Sequence, residues 1–282
     1  MYNLRYHIAS LVAVFLSLSI GLLLGTIVVE RGMLDRQKET IVSSLQEEFR
    51  SLDSANTELR ELAGSQEDLI ADLLPAVIEG TLADRRVLVI TGTGRVDGLS
   101  AVTESIRSAG GVPVALTLLS PGFGLEDPEV SEAVAGTVEP VGPDESLLDG
   151  VVAGLVSEWT VAGAERPITA VLESAGAIRI DDEGEPGAPA DAAVTVTPLG
   201  NGSGATALQL VAGFALAELP AVGAEAVSQS TGVAALAVED GISGVDHIGT
   251  PEGTFSLVFL LSGRATGYYG YGDSATGPWP SR

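Results

Sequence analysis

A run of 22 residues without a charge, IASLVAVFLSLSIGLLLGTIVV from Ile8 to Val29, constrains this chain more than any other feature. As a helix it would be about 33 Å long, close to the roughly 30 Å of bilayer hydrocarbon. The apolar core of a cleaved signal peptide is shorter, about 7–15 residues, and ends at a small-x-small site. Here Thr26-Ile27-Val28-Val29 offers no such site, so the run reads as an uncleaved anchor over residues 1–30. Ala9, Ala13, Ser17, Gly21 and Gly25 recur every four residues along it. Such a ladder lets two helix backbones approach closely in lipid and predicts self-association. Arg5 precedes the run, whereas Arg31, Arg36 and Lys38 follow it among acids, so the distribution of basic residues does not settle the orientation. A seven-residue tail ahead of a long acidic region suggests a single-pass cell-membrane protein with its bulk on the extracytoplasmic side.

Beyond the anchor the period changes to seven. Leu34, Ile41, Glu48, Ala55, Leu62 and Leu69 form one series, and Lys38, Leu45, Leu52, Leu59, Gln66 and Leu73 the other. Nine of these twelve positions are apolar, and polar pairs such as Gln46-Glu47 lie between them. This predicts a coiled-coil stalk over residues 31–80, parallel in a homodimer or higher oligomer, with the polar seam positions fixing register. The alternative is one amphipathic helix packed on a globular domain. Pro75 is expected to end or bend the stalk, because proline removes a helix donor.

From Arg86 the apolar runs shorten and alternate with helical patterns, which predicts an α/β, Rossmann-like domain with a parallel sheet over residues 84–265. Strands are expected at Arg86–Thr91, Val112–Leu119, Ile168–Leu172, Ala192–Thr197, Ala226–Gln229 and Gly244–His247. Helices are expected at Leu99–Ala109, Ser146–Val161, Thr206–Leu219 and Pro251–Leu261, with loops at 121–145 and 181–191. A Gly/Tyr-rich tail, 266–282, holds four of the seven Tyr and Trp residues. It is expected to fold back on the domain, an exposed docking patch being the alternative.

Composition removes several classes of function. The chain carries 14 basic and 38 acidic residues, a formal charge of -24, which repels nucleic-acid backbones. It has no cysteine, so disulfides, zinc–thiolate sites and thiol nucleophiles are excluded. Features that suggest an enzyme fall short. Gly92-x-Gly94 follows a strand, but Asp97 stands where the third glycine of a dinucleotide fingerprint belongs, and no acid ends the second strand. GNGSG, from Gly200 to Gly204, has neither a nucleophile elbow's spacing nor a phosphate-loop lysine. Asp181-Asp182-Glu183 with Glu185 reads as a solvated loop before a cation site. His247 beside Asp246 is the one plausible acid–base histidine, and a turn histidine is the plainer reading. No catalytic residue and no cofactor is expected.

The carboxy-terminal stretch GISGVDHIGTPEGTFSLVFLLSGRATGYYGYG and the opening LRYHIASLVAVFLSLSIGLLLG resemble the actinobacterial MctB-type family of copper transporters, which also covers SteB-like cell-envelope proteins. Ser243, Val245, Asp246, Thr250, Gly253, Gly267, Tyr269 and Gly270 match the family pattern, with His247 where an asparagine is expected. The resemblance implies copper transport or homeostasis at the envelope. For SteB-like relatives it implies a cell-division or cell-wall partner and control of wall hydrolysis. Copper(I) prefers thiolate and thioether donors, and this chain offers no Cys and two Met. The residues themselves suggest a non-enzymatic oligomeric scaffold.

Overall fold

The computed structural model describes residues 4–138, 146–182, 184, 187–198, 202–227 and 232–281, with the backbone alone for 28–40 and 239. The chain divides into two compact units, Met1–Gln66 and Glu67–Arg282. Helix α1 runs Leu4–Ile78, with Pro75 inside it. The helix thus continues past the proline to Ile78 and ends near it, not at it. The segment Leu4–Ile27, of mean hydropathy 2.4, is long and apolar enough to cross a membrane.

In the second unit the central strand β1, Arg86–Gly92, is buried along its whole length, as expected of a run with no polar face. Beside it lie β2, Val112–Leu118, and β4, Ala192–Thr195, both parallel to it. β3, Ile178–Asp182, pairs antiparallel with β2 and forms one edge. On the other side β5, Ala221–Ala224, β6, Ser243–Val245, and β7, Tyr268–Tyr269, add in parallel. The order is β3-β2-β1-β4-β5-β6-β7, a mostly parallel sheet that turns about β1 in the doubly wound manner.

Alternate residues of the strands feed two cores. Leu88, Ile90, Val114 and Leu116 pack with Val151, Leu155, Trp159, Leu172, Val211 and Phe214. These come from α4, Leu147–Thr160, α5, Pro167–Ser174, and α6, Ser203–Leu216. Val87, Val89 and Val194 pack on the opposite face with Val102, Ile106, Leu257, Val258 and Leu261, from α2, Leu99–Ser108, and α8, Pro251–Leu261. The end of α1 joins this second core. Ile78 and Leu82 are buried in it and Leu74 packs against it. Residues 67–78, assigned to the stalk by their heptads, therefore belong to the α/β unit.

Other elements differ from their expectation for identifiable reasons. Ile168–Leu172 is helical, not a strand. Pro167 opens α5, and the buried carboxylate of Glu158 accepts from the amides of Ile168 and Thr169 at 2.6 and 3.0 Å. A short apolar run suits strand or helix equally, and the cap that decides arrives from α4. The strand expected at Ala226–Gln229 lies earlier, at Ala221–Ala224, and Ser228 and Gln229 fall outside the described residues. Gly223 fixes that register: a Cβ there would meet Ala237 and the carbonyl of Val233. Those residues belong to α7, Val233–Glu239, which the sequence pattern did not reveal. The loop expected at 121–145 contains a 3-10 turn, Pro121–Gly124, and helix α3, Pro128–Ala135. Asp127 caps α3 by accepting from the Glu129 amide, with Pro128 in its first turn. α6 begins three residues before the expected Thr206.

Candidate functional site

The family-motif residues, scattered from 243 to 270 in sequence, converge at the sheet edge formed by β6 and β7. Asp246, fully buried just beyond β6, is the centre of this arrangement. Its carboxylate accepts from the Tyr268 hydroxyl at 2.7 Å and from the Tyr271 and Gly272 amides at 2.9 Å each. The His247 ring Nδ1 lies 2.6 Å from the same carboxylate. Burial alone would raise the Asp246 pKa. The Tyr268 hydroxyl, the His247 ring and the two amides outweigh it and hold the group below the ordinary carboxylate value.

The other motif residues shape this knot. Val245 pairs with Tyr269 across β6 and β7, and the Asp246 amide donates to the Tyr269 carbonyl at 3.1 Å. Ser243 Oγ accepts from the Gly267 amide at 3.3 Å. Thr250 caps α8 by accepting from the Gly253 amide, and its hydroxyl donates to the His247 carbonyl. A Cβ on Gly253 would run into that same carbonyl. Gly270, at φ 138°, has the Asp246 carboxylate where its Cβ would lie. His247 itself has φ 52°, and its ring meets Tyr271 edge-on at 5.0 Å. Burial and the charges of Glu252, Asp246 and Glu67 push the Tyr271 hydroxyl pKa up. The His247 ring thus lies between the Asp246 carboxylate and the Tyr271 ring.

The knot turns the tail back along the unit. Tyr268, missed by the motif match, is the aromatic that enters the core, at 2% exposure, whereas Tyr269 is only partly buried. Beyond it Trp279 lies against α8. Ile70, Leu73, Leu74 and Val77 of α1, with Pro251, Phe255 and Trp279, line a groove of about 260 Å³ whose one charged lining residue is Glu252. Ile70, Leu73, Leu74 and Val77 share one helix face by their i, i+3, i+4, i+7 spacing; of these the heptad reading took only Leu73.

Elsewhere the structure separates the other candidates. Gly92 ends β1, and Gly98, at φ 91°, caps α2 with Ile248 and Ala226 against it, so protein side chains fill this turn. Gly202 caps α6, while Gly200 and Asn201 lie outside the described residues. Asp182 pairs with Arg86 at 2.7 Å, and Glu183 and Glu185 lie outside the described residues. Among the described residues no group of three or more His, Cys, Asp or Glu is placed to hold a metal ion. Ala9, Ala13, Ser17, Gly21 and Gly25 are exposed on the apolar segment. So are the seam side chains Ile41, Leu45, Leu52, Leu59, Leu62, Leu69 and Leu73, and the Leu34 side chain lies outside the description.

The fold and this site define a mixed α/β unit with a seven-stranded, mostly parallel sheet closed at one edge by an Asp–Tyr knot, on a chain with an apolar helix near its amino terminus. Residues 1–280 match the family model MctB, described as copper transport outer membrane protein, and the chain belongs to that family. No curated protein and no solved structure shows a significant match.

Proposed function

We propose that this chain is a single-pass, membrane-anchored scaffold of the cell envelope, oligomeric through its α1 seam and without an enzymatic step of its own. The observation that carries this reading is the apolar seam of α1. Ile41, Leu45, Leu52, Leu59 and Leu62 stand exposed at heptad spacing, on a helix segment that follows one apolar enough to be an anchor. Burying one such side chain is worth about 1.5–3 kcal/mol, so five of them on each helix form a strong drive to pair. Chains anchored by the same end would pair in parallel. Copper, the cargo in the family's description, would then be handled by the assembly or its partners, since a single chain lacks the thiolates that copper(I) prefers. On this reading the α/β unit lies on the extracytoplasmic side of the membrane.

A peptide of residues 31–80 tests the seam. In sedimentation it is expected to be helical and associated at micromolar concentration, and Leu52→Lys with Leu59→Lys is expected to leave it monomeric. A monomeric wild-type peptide at high micromolar concentration would remove the basis for the scaffold.

A further inference from the structure

We infer that the groove between the end of α1 and α8 is half of a site, completed by a second copy of this chain. The inference rests on the scaffold reading and deepens it. It carries pairing from the stalk into the α/β unit and adds α8 and the carboxy-terminal tail to the interface. Ile70, Leu73 and Val77 form the α1 side of the groove, each about half exposed, and Phe255 and Trp279 line it with them.

Period selects the occupant. Leu73 is a seam position, and Leu69, also exposed, is the seam position before it. Pairing that follows the heptads to their last repeat therefore sets a second α1 on the helix face that borders the groove. Ile70 and Val77 stand outside the seam. They fall on another row of period seven, together with Val42 and Phe49, which are exposed as well. A cover for this row has to be a helix that keeps the seven-residue period along α1, and α1 of a second copy keeps it. Charge does not oppose the contact. Glu252 is the one charged residue of the groove, whereas Glu67 and Asp68 line a different cleft. A two-fold contact is self-complementary, so each copy offers its groove to the other's helix. Trp279, carried there by the fold-back of the tail, is the kind of large aromatic that anchors an interface once water leaves it.

Trp279 also reports closure. The chain has two tryptophans: Trp159 is buried at 1% exposure, while Trp279 is 47% exposed and lies in the groove. Pairing through the seam alone leaves Trp279 wet. Closure of the groove by a second copy dries it and shifts the emission to the blue. The full chain in neutral detergent is diluted through its association range, with sedimentation and emission followed together. The emission is expected to move to the red as the oligomer dissociates, and Trp279→Phe is expected to remove that movement while Trp159 goes on emitting. Ile70→Asp with Val77→Asp, outside the seam and on exposed positions, is expected to weaken association at least roughly tenfold, with helix content and melting retained.

An oligomer whose Trp279 emission is the same as the monomer's overturns the inference and leaves the groove to some other protein. So does a folded Ile70→Asp, Val77→Asp chain that associates like the wild type. The emission result needs no substitution in the groove wall of α1, so it decides the matter even if that variant misfolds. The peptide of residues 31–80 separates this inference from the scaffold. If it associates while Trp279 stays wet in the full-chain oligomer, the seam stands and the groove falls. If it is monomeric while the full chain associates, dries Trp279 and loses both with Ile70→Asp and Val77→Asp, the groove stands and the seam falls.

Discussion

Asp246 shows how one buried carboxylate can organise a surface segment. A buried charge is tolerated when its lone pairs are satisfied, and here a hydroxyl, two amides and an imidazole do so. Because its folded pKa is depressed, the stabilisation it provides is fully present above the ordinary carboxyl value of about 3.9 and is lost as pH falls through the lower folded value. Tyr268→Phe removes the strongest single donor and is expected to lower stability by about 1.5–3 kcal/mol at pH 7. Thermal melts at pH 7 and near pH 3 check this: the difference from wild type should shrink on acidification, and an unchanged difference would detach Tyr268 from the Asp246 charge. The donors of the chain also bear on copper. The unit from Glu67 onward contains His247 but neither Cys nor Met, so copper(I) titrated against a competing chelator is expected to bind more weakly than micromolar. Tighter binding by this unit would contradict the scaffold reading at the level of ligands.

Among the elements, β7 is the shortest strand and one of the most consequential. Two residues add the last strand to the sheet, and Gly267 and Gly270 supply the positive φ angles that let the chain enter and leave it. Truncation after Ser262 exposes the β6 edge and removes the packing of Tyr268. Loss of a buried aromatic costs about 3–5 kcal/mol, so a unit of this size should melt about 6–20 °C lower. Gly270→Ala is expected to lower the midpoint as well, because its Cβ would enter the Asp246 carboxylate. A truncated chain that melts like wild type would make the tail an appendage, contrary to its pairing with β6.

At the scale of the whole molecule the dominant quantity is the charge of -24. Like charges distributed over a compact unit repel, and salt screens them. Raising ionic strength from about 0.01 to about 0.15 M shortens the Debye length from roughly 30 to roughly 8 Å. The melting midpoint is therefore expected to rise over that range. A midpoint that is flat or falls would mean that local pairs such as Arg86–Asp182 outweigh the general repulsion.

Periodicity carried a great deal of this protein. The apolar segment, the α/β alternation, β1, β2, β4, α2, α4 and α8 could be read from local pattern, because each has one uninterrupted period and a recognisable cap or turn. The family motif could be matched by resemblance, but what Asp246 and Gly270 touch, 22 to 26 residues away along the chain, could not. Tertiary structure decided the rest. Whether Ile168–Leu172 became strand or helix depended on Glu158, ten residues away. The position of β5 depended on the close fit of α7 against Gly223. Residues 67–78 share the seam's heptads yet belong to the α/β unit, because Leu74, Ile78 and Leu82 meet a core built from β1 and α8. The tail's aromatics divided their roles in the same way: Tyr268 found the Asp246 carboxylate and Trp279 found the groove wall. A side chain's neighbours across the fold are not encoded in its own neighbourhood of sequence, and where several local outcomes were equally stable, those distant neighbours chose between them.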